Sequence, residues 1–390
     1  MRKAYRNEEE VGMRKIVMDM PPFYAMEVFE RAQELERQGR QIIHMEVGEP
    51  DFPTPSCIKK AAEKAIREGK THYTASVGLL ELREAIAEYY LEKHGVSVSP
   101  NQVVVTDGSS PALMITFSVL LETGDEVILS DPHYACYPNM VRFLGCVPVF
   151  VKVNEDDGFR FNPENIKEKI SSKTKDIIVN SPANPTGHVL DAQAMREIAS
   201  LGPIVVSDEI YHGLVYEGKE HSILEYTDNA FVASGFSKQF AMTGWRLGYV
   251  IAPEKFVRPL QKLMQNFFIA ANTVSQWAGI AAIREAGPDV KRMVEIFNKR
   301  RKLTIERLRK IGFGVTVEPT GAFYVLANAR KFTDDSLKFA FELLEKTGVG
   351  VTPGIDFGRN AEGYLRFSYT NSIENISEGM DRLEQYLTSR

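Results

Sequence analysis

Short runs of valine and isoleucine alternate along the chain with longer stretches in which apolar residues recur at helical spacing. The runs are nearly continuous, which is typical of strands buried on both faces of a sheet. Six runs are predicted as strands: Gln102–Thr106, Glu126–Leu129, Asp176–Val179, Ile204–Ser207, Phe231–Ser234 and Leu247–Ile251. Because strands and helices alternate, the pattern predicts an α/β fold with a mainly parallel sheet flanked by helices.

Helical spacing of apolar residues is clear in two segments that precede these strands. Apolar residues from Val28 to Leu35 share one helical face, and Gly39 is expected to end that helix. A second helix is predicted from the same spacing over 82–90, with Gly95 as its stop signal. Glycine favours helix ends because it adopts the left-handed backbone conformation at little cost.

The last hundred residues follow a different order. The pattern predicts helices over 298–311, 336–346 and 373–387, and strands over 313–318, 322–326 and 364–369. This order is typical of a smaller α+β domain, with which the helix over 23–38 is expected to pack. We therefore predict an N-terminal arm and part of the small domain over 1–50, a large domain over 51–289, and a small C-terminal domain over 290–390.

Composition narrows the class of protein. The 390 residues carry a formal net charge of −5, which argues against a nucleic-acid partner. The three cysteines form no zinc-binding or disulfide pattern, and the seven histidines form no metal-binding pair at local spacing, so no metal site is expected. Without a long apolar segment or a secretory signal, we expect a cytoplasmic protein with no membrane partner.

Small and polar residues follow the first predicted strand of the sheet. The segment Asp107-Gly108-Ser109-Ser110-Pro111 precedes a helical pattern, so its backbone N–H groups and hydroxyls would suit a bound phosphate. Taken alone, the segment is more simply a capped helix start, because serine and aspartate are common caps.

Two charged residues stand at the ends of other predicted strands. Asp208 follows the strand over 204–207, where a carboxylate is costly without a partner, although it could cap a helix. Lys238 follows the strand over 231–234, and burial there would lower its pKa and suit it to forming a Schiff base. Most single lysines are surface residues, so Lys238 alone is weak support.

Together and in order, these strand ends resemble a known family. From about Pro21 to Leu387 the chain resembles the class I/II aminotransferases, which are pyridoxal-phosphate (PLP) enzymes of fold-type I, and within them the bacterial and archaeal aspartate, alanine and aromatic aminotransferases. The motifs that carry the resemblance are Val47-Gly48-Glu49-Pro50-Asp51-Phe52, His72-Tyr73, Asn180-Ser181-Pro182-Ala183-Asn184-Pro185-Thr186-Gly187, Ser207-Asp208-Glu209-Ile210-Tyr211, Ser234-Gly235-Phe236-Ser237-Lys238, Gly244-Trp245-Arg246-Leu247-Gly248-Tyr249, Gly321-Ala322-Phe323-Tyr324 and Leu365-Arg366-Phe367-Ser368.

The resemblance implies catalytic and cofactor-binding roles. Lys238 would hold PLP covalently and then move the proton as general base and acid, while Asp208 would pair with the pyridine nitrogen. Asn184 and Tyr211 would hydrogen-bond the phenolic oxygen, and Tyr134 would stack on the ring. The phosphate would be held by the loop with Gly108, and by Ser109, Ser110, Ser237 and Arg246.

The resemblance also implies how substrate and partner bind. Arg366 would grip the substrate α-carboxylate in two-pronged fashion, helped by Asn184 and the backbone of Gly48. Tyr73 would reach the phosphate from a neighbouring subunit, which implies a homodimer with shared active sites. The implied reaction moves an α-amino group from aspartate, alanine or an aromatic amino acid to a 2-oxo acid, 2-oxoglutarate being the expected acceptor, by a ping-pong mechanism through pyridoxamine phosphate.

Two departures and two alternatives qualify this interpretation. Ser110 stands where some aspartate-preferring relatives have lysine, which weakens aspartate as the preferred donor, and Gly235 replaces a hydroxyl residue of some relatives. A carbon–sulfur β-lyase on the same cofactor remains open, because related PLP sites differ by few residues. A transcription regulator would need an added DNA-binding domain, and only about twenty residues precede Phe23.

Overall fold

The computed structural model describes residues 12–389. The helices are α1 (Lys15–Met18), α2 (Tyr24–Arg37), α3 (Ser56–Arg67), α4 (Leu80–His94), α5 (Ser109–Leu120), α6 (Tyr137–Phe143), α7 (Pro163–Lys167), α8 (Ala192–Ala199), α9 (Glu254–Phe267), α10 (Thr273–Glu285), α11 (Gly287–Ile311), α12 (Ser336–Thr347) and α13 (Ile373–Thr388). The strands are β1 (Ile43–His44), β2 (Val103–Thr106), β3 (Glu126–Asp131), β4 (Val147–Lys152), β5 (Thr174–Asn180), β6 (Ile204–Asp208), β7 (Ala230–Gly235), β8 (Gly248–Ile251), β9 (Tyr324–Asn328), β10 (Val349–Gly350), β11 (Thr352–Pro353) and β12 (Tyr364–Ser368).

A seven-stranded sheet forms the centre of the molecule, in the order β2-β8-β7-β6-β5-β3-β4. The pairs β7–β6, β6–β5, β5–β3 and β3–β4 are parallel, whereas β8 is antiparallel to both β2 and β7. Apolar clusters lie on both faces of this sheet. The predicted α/β class and the mainly parallel sheet are therefore confirmed.

All six predicted strands belong to this sheet, and one further strand, β4, lies outside that prediction. Strand β4 is at the edge of the sheet and carries Pro148. Proline has no backbone N–H to donate, and an edge strand tolerates this because one side of it has no neighbouring strand. The predicted stop at Gly95 is confirmed, since this residue ends α4 with a φ of 70°.

The C-terminal part contains an antiparallel sheet in the order β11-β12-β9. The strand predicted over 313–318 is wrong, since that segment is irregular and forms only a bridge from Gly314 to Asn328 in the described chain. Its Phe313 and Val315 are nevertheless buried, which explains why their alternation imitates a strand. Helix α11 is also longer than predicted and begins at Gly287.

The segment before residue 50 is joined to the C-terminal part. Strand β1 pairs in parallel with β10, through Ile43 opposite Val349. The apolar face of α2 packs against Leu344 of α12, and Asp356 accepts hydrogen bonds from the backbone N–H groups of Tyr24 and Ala25 at the start of α2. The division at residues 50 and 289 remains a prediction. Over residues 12–389, no helix combines the length and apolar character needed to cross a membrane.

Candidate active site

A cavity of about 250 Å³ opens at the carboxyl ends of the parallel strands, the usual place for ligands in an open α/β sheet. The predicted site residues that line it are Gly48, Ser109, Ser110, Tyr134, Asn184, Asp208, Tyr211, Ser237, Lys238, Arg246 and Arg366. Two predicted residues, Gly108 and Tyr73, stand outside that lining. The structure thus brings together residues that lie up to about three hundred positions apart in the sequence.

Lys238 follows β7 and points its ammonium group into the cavity. Its Nζ donates a hydrogen bond of 2.6 Å to the backbone oxygen of Gly48. Burial disfavours the charged amine and lowers its pKa to about 8, against the opposing pull of Glu49. A lysine with such a pKa is neutral for an appreciable fraction of the time near neutral pH, as a nucleophile or a general base requires.

Asp208 is the last residue of β6 and is buried. Desolvation raises the pKa of its carboxyl to about 6, although a hydrogen bond of 2.6 Å from the Tyr137 hydroxyl acts in the opposite direction. Its Oδ1 accepts a hydrogen bond from the backbone N–H of Ile210. A buried carboxylate of this kind is poised to pair with a cationic group in the cavity.

Another part of the cavity lining forms an anion-binding cradle. Helix α5 begins at Ser109, so its free backbone N–H groups and the hydroxyls of Ser109 and Ser110 lie beside Ser237 and Arg246. Gly108 precedes the helix with a φ of 105°, and a Cβ on it would lie 2.5 Å from Nη2 of Arg246. The positive φ favours glycine, and a Cβ at this position would push the end of the Arg246 side chain aside.

Aromatic and amide side chains form much of the remaining cavity wall. The hydroxyls of Tyr211 and Tyr324 are hydrogen-bonded at 2.8 Å. Tyr134 is held edge-on by Phe23 and Tyr137. Desolvation by burial raises the pKa of the four cavity tyrosines, Tyr134, Tyr137, Tyr211 and Tyr324, so their hydroxyls are protonated at neutral pH.

Arg366 lies on β12 with only 2% of its surface exposed. Its guanidinium donates to Oδ1 of Asn184 at 3.0 Å and to the hydroxyl of Thr352 at 3.0 Å. The rings of Tyr324 and Phe357 flank it at 4.3 Å and 4.9 Å. Over the described residues it pairs with no carboxylate, and its Nε has no hydrogen-bond partner. A buried cation in this state is suited to an anionic ligand.

Tyr73 is 81% exposed and does not line the cavity of its own chain. The hypothesis that Tyr73 reaches the phosphate in a neighbouring subunit remains a prediction. The exposed apolar side chains of Leu80, Phe267 and Ile269 also lie on the surface of the isolated chain.

Sequence reasoning missed three residues that position the site. Tyr137 bonds to Asp208, Tyr324 bonds to Tyr211, and Thr352 bonds to Arg366. Only Tyr324 belongs to a motif singled out from the sequence, and no role was attached to it there. The pairs join positions 14 to 113 residues apart, so local spacing gives no signal for them.

The chemistry of the cavity matches that of pyridoxal phosphate. A dianionic phosphate fits the helix N-terminus with Arg246, an aldehyde fits the lysine of lowered pKa, and a pyridine nitrogen fits the Asp208 carboxylate. Because Gly108 has no side chain, the Arg246 guanidinium can lie close to the backbone of the cradle. A Cβ at residue 108 would occupy this space.

Comparisons with known proteins agree with this chemistry. The family model described as aminotransferase class I and II matches residues 40–383. The chain is 42% identical over 377 residues to the (5-formylfuran-3-yl)methyl phosphate transaminase of Methanocaldococcus jannaschii, across 96% of this chain and 99% of that protein.

Solved structures give the same result. A crystal structure from Methanococcus jannaschii, described as similar in its active site to kynurenine aminotransferases, superposes with a TM-score of 0.89 at 42% identity, covering 96% of this chain and all of that one (100%). The aspartate aminotransferase of Thermus thermophilus with maleate superposes with a TM-score of 0.92 at 38% identity, covering 96% of this chain and 99% of the other.

Proposed function

This chain belongs to the class I and II aminotransferases, which are PLP-dependent transaminases, and from that premise we propose the substrates and the residue roles of its site. The donor is an L-amino acid, namely aspartate, alanine or an aromatic amino acid, and the acceptor is a 2-oxo acid, 2-oxoglutarate in particular. The observation that carries the proposal is Arg366, a buried guanidinium without a carboxylate partner in the described chain, in the same cavity as Lys238.

Arg366 binds the α-carboxylate of the amino acid. Its planar guanidinium suits a carboxylate, and the side chains of Asn184 and Thr352 fix its orientation. The backbone of Gly48 borders the same space and holds the Lys238 ammonium at 2.6 Å. The α-carbon of a substrate bound here would therefore lie within reach of the lysine.

Lys238 anchors the cofactor and moves the proton. When bound, PLP supplies an electron sink that acidifies the hydrogen on the substrate α-carbon. With a pKa of about 8, the Lys238 amine accepts this proton in its neutral form and returns it in its charged form. The negative charge of Asp208 would keep a proton on the pyridine nitrogen of the cofactor, and the hydrogen bond from the Tyr137 hydroxyl favours the ionised form of this carboxyl.

The remaining residues orient the cofactor. Ser109, Ser110, Ser237 and Arg246 bind the phosphate, with Gly108 giving the guanidinium room. Asn184, Tyr211 and Tyr134 also line the cavity. Asn184 and Tyr211 would donate to the phenolic oxygen of the cofactor, and Tyr134 would cover its ring. These contacts exclude water from the reacting atoms, which strengthens each electrostatic interaction.

Among the proposed donors, we expect aromatic amino acids to be used in preference to aspartate. Phe23, Met26 and Leu113 give the cavity an apolar wall, while Glu49 would repel a side-chain carboxylate. Within the described residues, the cations of the lining are Lys238, Arg246 and Arg366, and each already has a role. The Thermus thermophilus relative, solved with the dicarboxylate maleate, is the reason for retaining aspartate as a donor.

We also propose that two copies of the chain complete the site, with Tyr73 of each reaching the phosphate of the other. The support is the 81% exposure of Tyr73 and the exposed apolar residues Leu80, Phe267 and Ile269. A molar mass of twice the chain mass by light scattering, and weaker PLP binding in Tyr73→Phe, are the expected results. A monomer with full activity would contradict the dimer.

Mixing the PLP-loaded enzyme with single L-amino acids, without any 2-oxo acid, tests the function. Conversion of the cofactor spectrum to that of pyridoxamine phosphate, fastest with phenylalanine or tyrosine, is the expected result. Addition of 2-oxoglutarate should then restore the original spectrum, and pyruvate serves as the comparison acceptor. Release of ammonia with the cofactor unchanged would indicate a lyase and overturn the proposal.

A further inference from the structure

A second cluster of chemically reactive side chains lies away from the catalytic cavity. His94 is the last residue of α4, His212 follows β6, and Glu220 lies in the loop beyond it. Nitrogen or oxygen atoms of all three side chains lie within 4.8 Å of one another. The residues are 8%, 4% and 5% exposed, respectively, so the cluster is buried.

The facing atoms of this cluster are unsatisfied. Over residues 12–389, no hydrogen bond reaches Nε2 of His94, Nε2 of His212 or Oε1 of Glu220, although Oε1 of Glu220 lies 3.4 Å from the Lys93 ammonium. Buried polar atoms normally have partners, because each unpaired one costs about 1–3 kcal/mol. Three atoms of metal-ligand type without a hydrogen bond, in one buried cluster, therefore suggest a shared ligand.

Carboxylates behind the histidines would orient the rings. Oε2 of Glu209 lies 3.5 Å from Nδ1 of His212, and Oε1 of Glu225 lies 3.3 Å from Nδ1 of His94. Glu209 is itself fixed by hydroxyls, including that of Tyr90 at 3.0 Å. A carboxylate that accepts from the far nitrogen of an imidazole is the usual support of a metal-binding histidine, and it leaves Nε2 for the metal.

We propose that His94, His212 and Glu220 bind one divalent transition-metal ion, with Zn²⁺ as the best match. Two imidazoles and one carboxylate are a common zinc ligand set, and water can complete a tetrahedron. Glu220 is already held in place, since its Oε2 accepts a hydrogen bond of 2.7 Å from the backbone N–H of Gly213.

The charges around the cluster favour a cation. Glu209 and Glu225 add negative charge behind the histidines, and the one ammonium in contact with Glu220 among the described residues is that of Lys93, at 3.4 Å. The Lys93 side chain is 48% exposed and can turn to water when the metal binds.

The position of the site defines its role. The metal would join the end of α4 to the two segments that follow β6, and His212 is the residue after Tyr211. None of its three ligands belongs to the lining of the catalytic cavity in the described chain. The site is therefore structural, and it stabilises the turn that carries Tyr211. Its ligands stand at positions 94, 212 and 220, so no local motif reveals it.

Metal analysis tests the proposal. Holoenzyme without an affinity tag is dialysed against a chelator, incubated with Zn²⁺ and passed through a desalting column before elemental analysis. We expect about one zinc per chain in the wild type and near none in His94→Gln or Glu220→Gln. The control is His44→Gln. The ring nitrogens of His44 lie 2.6 Å from a carboxylate oxygen of Glu46 and 3.2 Å from one of Glu36, but this histidine is not part of the cluster.

Two further readings separate specific binding from adventitious binding. Zn²⁺ should raise the melting temperature of the wild type and of His44→Gln by a few degrees and leave both cluster variants unchanged. Co²⁺ should give the strong visible bands of a tetrahedral site in the wild type. The PLP absorbance of each variant confirms that it is folded. If His94→Gln does not fold, Glu220→Gln alone provides the test. Absence of stoichiometric zinc in the wild type, or its retention in a folded cluster variant, would overturn the proposal.

Discussion

The hydroxyl of Tyr137 donates a hydrogen bond of 2.6 Å to Oδ2 of Asp208, and both residues are buried in the cavity wall. Tyr137 begins α6, whereas Asp208 ends β6, so the contact joins the helix layer to the sheet. Desolvation raises the pKa of this carboxyl, and the bond limits the rise, so that the pKa is about 6. The ionisation of Asp208 therefore depends on a tyrosine outside the predicted site.

Tyr137→Phe should slow the proton transfer step by about 10- to 100-fold, since a hydrogen bond to a charged group contributes about 1.5–3 kcal/mol. Without the donor, the pKa of Asp208 rises further and the carboxyl is neutral at higher pH. The acidic limb of the kcat profile should therefore move to higher pH. Single-turnover rates between pH 5 and 8, followed by the cofactor spectrum, measure this shift.

The matched control for this prediction is Tyr90→Phe. It also removes a buried tyrosine hydroxyl from a buried carboxylate, that of Glu209, at 3.0 Å. We expect it to lower stability and leave the pH profile in place. Identical profiles for Tyr137→Phe and the wild type would contradict the role of Tyr137.

The lowered pKa of Lys238 predicts how the cofactor-free enzyme captures PLP. Only the neutral amine attacks the aldehyde, so the capture rate should rise with pH through about 8, rather than through the usual value near 10.5. Stopped-flow absorbance after mixing the cofactor-free enzyme with PLP gives this profile. Lys238→Ala should show neither the absorbance of the covalent form nor turnover, whereas Lys262→Ala, on the exposed face of α9, should behave as the wild type. A capture rate that is flat between pH 6 and 9 would refute the assignment.

Substitution of Arg366 should separate substrate binding from cofactor binding. Arg366→Ala removes a charged, two-pronged contact, so kcat/KM for the amino donor should fall on the order of 100-fold or more, mainly through KM. The PLP spectrum should remain, because none of the hydrogen-bond partners of Arg366 in the described chain belongs to the proposed phosphate cradle. Arg366→Lys keeps the charge but loses the planar fork, and it should recover only part of the loss. An unchanged KM in Arg366→Ala would remove its proposed role.

The sequence predicted the sheet and the positions of Asp208 and Lys238 because both depend on local order. A continuous apolar run predicts a buried strand, and polar residues at or shortly after the carboxyl end of such a run in a parallel sheet lie at the ligand-binding edge. The same reasoning fails for Arg366, which lies inside β12 of the smaller sheet and not after a strand of the large one. Only the family resemblance singled it out.

Contacts between distant elements could not be predicted in the same way. Thr352 reaches Arg366 because β11 and β12 pair in antiparallel register, with these two residues opposite each other. The wrong strand over 313–318 has a related cause, since Phe313 and Val315 are buried by neighbouring elements without pairing along a strand. Period-two burial thus predicts a strand only where a neighbouring backbone offers hydrogen bonds.

Gly108 provides a test of the phosphate cradle in which backbone strain and crowding can be separated. Its φ is 105°, and a Cβ there would lie 2.5 Å from Nη2 of Arg246, so Gly108→Ala should displace the guanidinium. Gly124 has a similar φ of 92°, but a Cβ there meets nothing within 4 Å. Both alanine variants should lose about 1 kcal/mol of folding stability from backbone strain. Only Gly108→Ala should weaken PLP binding, by about tenfold or more, in equilibrium titrations of the cofactor-free enzyme. Equal PLP affinities in the two variants would show that Arg246 does not need the space that Gly108 leaves, and the assignment of Arg246 to the phosphate would fail with it.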